Sequence, residues 1–226
     1  VLHRAGKPQE AQRLLDGIAG GGDDTALAAL AAQRGTMLTG RAIASPAEGM
    51  AEAYAALAGA MRQQGAGDFS LVLAQLALRM RPGFAPALVL MADTLADEDH
   101  EEQALEALDR IAGDDPLAPV VQLRRAVLLD KLDRLDDAAT VLRRLSAAYP
   151  DRPQAPYRLG DLLRGRNRFA EAALAYDEAI ARVPSPGPGD WPLFYARGIA
   201  RERSGDWPRA EADFLRALEL SPEQPY

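Results

Sequence analysis

The chain has 226 residues and a formal net charge of −7, and 48% of its residues are hydrophobic while only 6% are aromatic. This apolar content is enough for a buried core, and the many Ala and Leu residues favour helices over a sandwich or barrel. The mild acidic charge argues against bulk binding to nucleic acid or to an anionic membrane surface. Because cysteine is absent, disulfides, zinc ribbons and thiol catalysis are excluded, and both cytoplasm and periplasm stay open as compartments.

The N-terminal residues 1–44 predict a partial repeat followed by an irregular helical segment. Apolar residues within 8–18 recur at helical spacing, so we expect the second helix of a truncated hairpin there. Three consecutive glycines break this helix, and 25–34 should form another one. Because the chain opens at Val1 as if inside a helix, we expect it to be an internal piece of a longer protein.

Prolines recur at a nearly constant interval through the rest of the chain. They are Pro82, Pro116, Pro150, Pro184 and Pro222, at intervals of 34, 34, 34 and 38 residues. Each closes an amphipathic segment, as Pro does just beyond a helix end. Small residues recur about 12 and about 24 positions before each proline, which lets two antiparallel helices approach closely. One hairpin cannot bury its apolar stripe alone, so neighbouring hairpins must stack.

This interval divides the chain into repeats. It predicts five helical hairpins over residues 45–82, 83–116, 117–150, 151–184 and 190–222, with an insertion at 183–190. The insertion holds three prolines and two glycines, which cannot continue a helix. Asp190 is expected to cap the helix that Trp191 and Pro192 open. We interpret Trp191 as a side chain that packs into the gap left by the longer loop, with a binding anchor as the alternative.

The most specific residues of the pattern lie in the last two repeats. They are Leu159, Gly160, Phe169, Ala172, Tyr176, Ala179 and Pro184, and then Gly198, Gly205, Trp207, Ala210, Phe214, Ala217 and Pro222. The pattern covers residues 45–226 and resembles the tetratricopeptide repeat family. This resemblance implies an all-α fold, an α-solenoid of antiparallel helix hairpins wound into a superhelix. Arg125, Arg197 and Arg201 depart from positions that the family fills with apolar residues.

Motifs for chemistry are missing from the sequence. It has two histidines and no HExxH, P-loop or Rossmann fingerprint. The acidic run at 97–102 is interpreted as a solvated turn rather than a metal site, with Asp99 as an N-cap. Arginines between 124 and 168 alternate with aspartates, which favours a salt-bridged surface over an RNA platform. We therefore expect a protein that is not an enzyme and has no cofactor, metal, nucleic-acid partner or membrane-inserted segment within this stretch.

In the family, the first helix of each hairpin lines the concave surface on which partners bind. Carried over to this sequence, the resemblance places these residues on that surface: Arg62, Asp93, Asp97, Arg124, Asp130, Lys131, Tyr157, Arg158, Asp161, Arg164, Tyr195 and Glu202. Family members that bind chaperone tails carry Lys and Asn at defined inward positions. Here Val89, Leu123, Tyr157 and Tyr195 stand at the Lys position, so a chaperone carboxylate is not the expected ligand.

The resemblance therefore implies a scaffold or adaptor that takes an extended or helical peptide, or a folded face, near Tyr157 and Tyr195. One alternative is a regulatory or assembly module of a larger protein whose catalytic domain lies outside this stretch. Another is homo-oligomerisation through exposed repeat ends. The whole chain also resembles long bacterial tetratricopeptide proteins of alphaproteobacterial type, some of which are exported and serve envelope proteases or assembly machines.

Overall fold

A computed structural model describes residues 9–10, 13–14 and 43–222 of the chain. The two short ranges are helical, whereas the rest of the predicted partial repeat and irregular segment within 1–44 lies outside the described residues. The described part contains helices, turns and bends but no strand, which confirms the predicted all-α class. Within it, no helix combines the length and apolar character needed to cross a membrane.

Ten α-helices make up the continuous range 43–222. They are α1 (Pro46–Gln63), α2 (Gly67–Met80), α3 (Ala85–Asp97), α4 (Glu101–Asp109), α5 (Ala118–Lys131), α6 (Leu135–Ala148), α7 (Gln154–Gly165), α8 (Phe169–Ala181), α9 (Trp191–Arg203) and α10 (Trp207–Leu220). A short 3-10 helix, Pro188–Asp190, precedes α9. Helix α1 begins at a clear signal, because the Ser45 hydroxyl accepts a hydrogen bond from the Glu48 amide and Pro46 opens the first turn.

The helices fall into two compact units, one ending at Asp133 and the other beginning at Arg134. In the first unit, α1 pairs with α2 and α3 with α4, while α2 packs on α3 and α4 on α5. In the second unit, α7 pairs with α8 and α9 with α10, while α6 packs on α7 and α8 on α9. The first helices of successive pairs also touch, α1 with α3 and α7 with α9.

Helix pairs in the second unit approach each other at glycine. A Cβ added to Gly160 on α7 would lie 2.5 Å from Cε1 of Tyr176 on α8. The same atom on Gly198 of α9 would lie 2.6 Å from Cε1 of Phe214 on α10. An aromatic ring therefore fills the space that any other side chain would need, which is the close packing expected from the small residues of the sequence.

A residue in the left-handed conformation follows the first helix of each predicted repeat, 17 positions before its proline. These residues are Gly65, Asp99, Asp133, Asn167 and Gly205, with φ between 59° and 89°. Such a residue ends the preceding helix and reverses the chain, and Gly, Asn and Asp tolerate it best. The prediction that Asp99 caps α4 is wrong: His100 holds the N-cap position, and no side-chain hydrogen bond caps the helix.

A hydrogen bond to the carboxylate of Asp190 closes the turn of the insertion before α9. Asp190 stands at the N-cap position of α9, but its Oδ2 accepts a hydrogen bond from the Gly187 amide at 2.8 Å. Asp190 therefore occupies the predicted N-cap position, but its carboxylate binds the amide of the preceding loop and does not cap α9. Trp191 packs with its ring centroid 5.9 Å from that of Tyr195, in agreement with the packing interpretation.

Candidate functional site

The first unit carries an open groove of about 620 Å³ along α1 and α3. On the α1 side its lining holds four small residues, Ala55, Ala56, Gly59 and Ala60, between Glu52 and Gln63. These residues recur at i, i+1, i+4 and i+5, so they form one narrow face of the helix. With so little side chain on this face, an incoming chain can approach the backbone of α1 closely.

Apolar and polar groups divide the remainder of the groove. Phe84, Val89 and Leu90 provide apolar surface from α3 and its N-cap, while Glu52 and Asp93 provide carboxylates. Apolar surface with a few placed polar groups is typical of a binding site. Asp93 was expected here from the sequence, whereas the small residues of α1 were missed. Their spacing in the sequence is the signal that would have found them.

The charged residues expected on this surface pair with one another across the first helices. Arg62 Nε of α1 donates to Asp97 Oδ2 of α3 at 2.8 Å. Arg124 of α5 grips Asp93 of α3 through two hydrogen bonds, of 2.8 and 3.3 Å. The structure thus brings these four residues together in pairs. The charge of these carboxylates is already balanced by arginine. These residues therefore join neighbouring helices and attract a charged ligand only weakly.

The last turn of α5 carries two more of the expected residues, Asp130 and Lys131. Lys131 Nζ donates to Glu101 Oε1 and to the Ala96 carbonyl oxygen, each at 3.2 Å. A hydrogen bond from the backbone amide at the start of α4 has the largest effect in holding the pKa of Glu101 below its usual value, and the hydrogen bond from Lys131 lowers this pKa further. Asp130 is partly buried. Lys131 therefore ties α5 to α3 and α4.

In the second unit, three of the expected residues surround the buried Tyr176 of α8. The Tyr176 hydroxyl donates to Asp161 Oδ1 at 2.8 Å and accepts from Arg164 Nε at 3.1 Å. The Tyr157 ring lies 5.8 Å from the Tyr176 ring, between centroids. Asp161 and Arg164 therefore hold a core tyrosine in place, and Tyr157 packs on it.

These surroundings predict a response to alkali. Burial, and after it the Asp161 carboxylate, raises the pKa of both Tyr157 and Tyr176 above the usual 10.0. A folded pKa above the unfolded one means that the unfolded chain loses these protons first, so stability falls as pH rises through and beyond 10. In an absorbance titration of tyrosinate, Tyr176→Phe should lose amplitude only from the highest-pH phase. Loss of amplitude near pH 10 would contradict the burial argument.

Tyr195 of α9 occupies the equivalent place in the next helix pair. Its ring centroid lies 5.8 Å from that of Phe214, and both Tyr195 and Tyr157 pack against a cluster built around Leu193 and Phe194. The two tyrosines are therefore half-buried neighbours at one edge of the core of the second unit. Beside Tyr157 on α7, Arg158 is exposed, and Glu202 of α9 is partly buried.

Arginines at unexpected positions form ion pairs between helices. Arg125 of α5 pairs with Asp109 of α4, and Arg197 of α9 pairs with Asp177 of α8 at 2.7 Å. Arg197 and Arg201 also share the buried Asp213 of α10. Each departure from the apolar pattern is thus matched by an aspartate on a neighbouring helix, which satisfies the charge.

The acidic run at 97–102 supplies partners for cations of the protein itself. Asp97 binds Arg62, and Glu101 binds Lys131. Within the described ranges, no three His, Cys, Asp or Glu side chains gather as a cluster that could hold a metal ion.

Comparison with known proteins identifies the type of fold. A family model described as tetratricopeptide repeat matches residues 89–153, 123–190 and 157–225, which together exceed half of the chain. No curated protein matches the chain in sequence.

Solved structures align over most of the chain. A structure of MamA, residues 41 to the end, from Desulfovibrio magneticus RS-1 is 21% identical, covers 78% of this chain and 98% of its own, and has a TM-score of 0.62. YrrB, a TPR protein with an unusual peptide-binding site, is 16% identical over 76% of this chain and 86% of its own, with a TM-score of 0.53. One chain in the structure of the APC/C hetero-tetramer Cut9–Hcn1 is 17% identical over 93% of this chain and 39% of its own, with a TM-score of 0.58. These likenesses confirm the predicted helical-hairpin solenoid class.

Proposed function

Because the chain belongs to the tetratricopeptide repeat family, we propose that it is a non-catalytic adaptor that holds a peptide or protein partner on the first helices of its hairpins. The groove along α1 and α3 supports this proposal most directly. It is open, it is lined largely by small and apolar residues, and of its two carboxylates that of Asp93 is already neutralised by Arg124. YrrB, a structural neighbour of the same fold, has a peptide-binding site, which supports a peptide as the ligand class.

The chemistry of the groove indicates what the partner presents. Small residues on α1 leave room for a side chain of the partner above Gly59, between the helices. Phe84, Val89 and Leu90 favour an apolar side chain at that point. Glu52, which is exposed on α1, favours a basic residue of the partner beside it. We infer that the ligand is an extended or helical segment with an apolar anchor flanked by a basic residue.

The other unit carries a candidate surface of aromatic and basic residues. Tyr157 and Tyr195 present half-buried rings beside the exposed Arg158. Aromatic and arginine side chains are enriched among residues that dominate binding energy. We propose that this surface is a separate contact site for a partner, whereas Asp161 and Arg164 act by holding Tyr176, on which Tyr157 packs.

A bulky side chain at Gly59 tests the groove directly. A Cβ at Gly59 meets nothing within 4 Å, so a side chain can start there, and Gly59→Trp places a large ring at the groove. Replacing a glycine inside a helix with tryptophan also favours the helix, by about 0.3–0.5 kcal/mol. We expect Gly59→Trp to lose partners that the wild type captures, as identified by mass spectrometry, while its melting temperature is equal or higher.

The control is Gly83→Trp, which lies outside the groove in the turn between α2 and α3, where a Cβ also meets nothing within 4 Å. It should capture the same partners as the wild type. A peptide from a captured partner then gives the affinity by calorimetry, where Gly59→Trp should weaken binding at least tenfold, or about 1.4 kcal/mol. Equal binding by Gly59→Trp and wild type would rule out this groove as the site.

A further inference from the structure

All of the net charge of the chain lies in the first unit. Residues 1–133 contain 19 acidic and 12 basic residues, a balance of −7, whereas residues 134–226 contain 14 of each. Within the continuous described range of the first unit, 43–133, there are 15 acidic and seven basic residues. The groove along α1 and α3 therefore belongs to an acidic unit, while the second unit is neutral as a whole.

The basic residues of the range 43–133 mostly contact groups of the protein itself. Four of the seven form ion pairs with aspartate or glutamate: Arg62, Arg124, Arg125 and Lys131. Arg81 lies over the ring of Phe84, with its guanidinium carbon 5.0 Å from the ring centroid. Because each ion pair cancels one charge of each sign, the pairs leave the excess of negative charge unchanged.

Acidic residues stand near the end of the groove at which α3 begins. Glu52, which is exposed on α1, lies 34 residues before Pro86 and therefore at the same level of its helix. Both residues line the groove. Asp115 accepts a hydrogen bond at 2.8 Å from the amide of Leu117, which lines the groove at the start of α5. A ligand therefore meets carboxylates at this end.

The opposite end of the groove leads into the acidic turn between α3 and α4. Asp93 lines the groove and is neutralised by Arg124. Glu98 follows Asp93 by five residues, or about 7.5 Å along a helix axis, and Asp99 comes next. Both are exposed. This rise is shorter than the screening length of about 10 Å at 0.1 M salt, so the charge of the turn acts on a ligand in the groove.

We propose, on the basis of the function proposed above for the groove, that its ligand is a net basic segment with apolar residues at its centre and lysine or arginine on both sides of them. The apolar residues contact Val89 and Leu90. The basic residues face Glu52 at one end and the acidic turn at the other. Charge of one sign around a cleft speeds the encounter with an oppositely charged ligand and disfavours ligands of like charge.

Selection from a phage-displayed library of random peptides tests the charge of the ligand. Peptides of about 12 residues span roughly 40 Å when extended, which is ample for the groove. Gly59→Trp carries the same charge as the wild type, so peptides held by charge alone bind both proteins. Peptides that bind the wild type and Gly83→Trp but not Gly59→Trp should contain more basic than acidic residues. Circular dichroism must show equal helicity for the three proteins.

The outcomes separate the charge of the ligand from the groove itself. If the peptides that Gly59→Trp loses are neutral or acidic on average, the basic ligand is ruled out and the groove stands. If the wild type and a folded Gly59→Trp select the same peptides, the groove is not the site and the basic ligand is ruled out with it.

Association rates of a selected peptide, measured by stopped flow, test the effect of the acidic turn. Between about 20 and 300 mM salt, association with the wild type should slow at least tenfold. Glu98→Gln/Asp99→Asn should slow association roughly two- to fivefold at the lower salt concentration, with little change in the dissociation rate. Asparagine suits position 99, because Asn167 holds the equivalent left-handed position.

The matched control removes two exposed acidic residues from the second unit. Asp151→Asn/Glu211→Gln changes the net charge by the same amount and should associate with the peptide nearly as fast as the wild type. An association rate that responds neither to salt nor to Glu98→Gln/Asp99→Asn would overturn the proposal, as would an equal loss of rate in the two double variants.

Discussion

Replacing Asp213 with alanine is expected to lower the free energy of unfolding by about 3–5 kcal/mol. The carboxylate of Asp213 is only 4% exposed, and it accepts hydrogen bonds from Arg197 and from Arg201 at 2.6 to 2.9 Å. Both arginine side chains are 14% exposed. Without Asp213 the carboxylate that both arginines keep is that of Asp177, so positive charge stays buried with too few partners. Urea denaturation followed by circular dichroism measures the loss.

Two variants separate this mechanism from a general loss of contacts. Glu219→Ala, also on α10, breaks an exposed ion pair with Arg216 and should cost less than about 1 kcal/mol. Replacing Arg197, Arg201 and Asp213 together with leucine should recover most of the stability, because buried ionic groups can be exchanged for apolar ones. If Asp213→Ala lowered the free energy of unfolding no more than Glu219→Ala does, burial would not strengthen the contribution of these ion pairs.

Gly160→Ala is expected to destabilise the protein by about 1–3 kcal/mol, at the upper end of this range. The new methyl group would lie 2.5 Å from the Tyr176 ring, so one of them must move. Tyr176 is fully buried and its hydroxyl is held by Asp161 and Arg164, so the ring has no free direction. Thermal unfolding should show a clearly lower melting temperature.

The chain offers graded controls for this substitution. Gly198→Ala creates a similar contact with Phe214, but this ring is partly exposed and has no anchored hydroxyl, so the cost should be smaller. Gly165→Ala at the end of α7 meets nothing within 4 Å and should be neutral or slightly stabilising. If Gly160→Ala and Gly165→Ala behave alike, the ring contact does not limit the packing of α7 on α8.

The proline interval and the small residues in the sequence predicted the helical class of the described part, because they report helix ends and close contacts directly. The turns were harder to assign. Aspartate suits both an N-cap and a left-handed residue, so the residue type at Asp99 does not distinguish the two. Only the comparison of equivalent positions, where Gly65 and Gly205 stand, reveals that the position requires a positive φ.

The candidate site was predicted in part. The sequence placed charged residues on the first helices, and Asp93 lines the groove. It did not predict that Arg62 binds Asp97, or that Arg124 binds Asp93, because such pairing depends on how far each hairpin is rotated on the previous one. The floor of the groove was missed for another reason: Ala and Gly carry no chemistry of their own, and their value there is the space they leave.

The aspartate–arginine contacts also restrict how this chain can be rearranged by recombination. Loss of the interval that contains α3 and α4 would bring α5 behind α2, where Gln75 stands in place of Asp109. Arg125 would then face an amide instead of a carboxylate. A first helix that carries the arginine is compatible with only some of the second helices in the gene, so repeats of equal length are not interchangeable. The order of the modules is therefore part of the information that the sequence encodes.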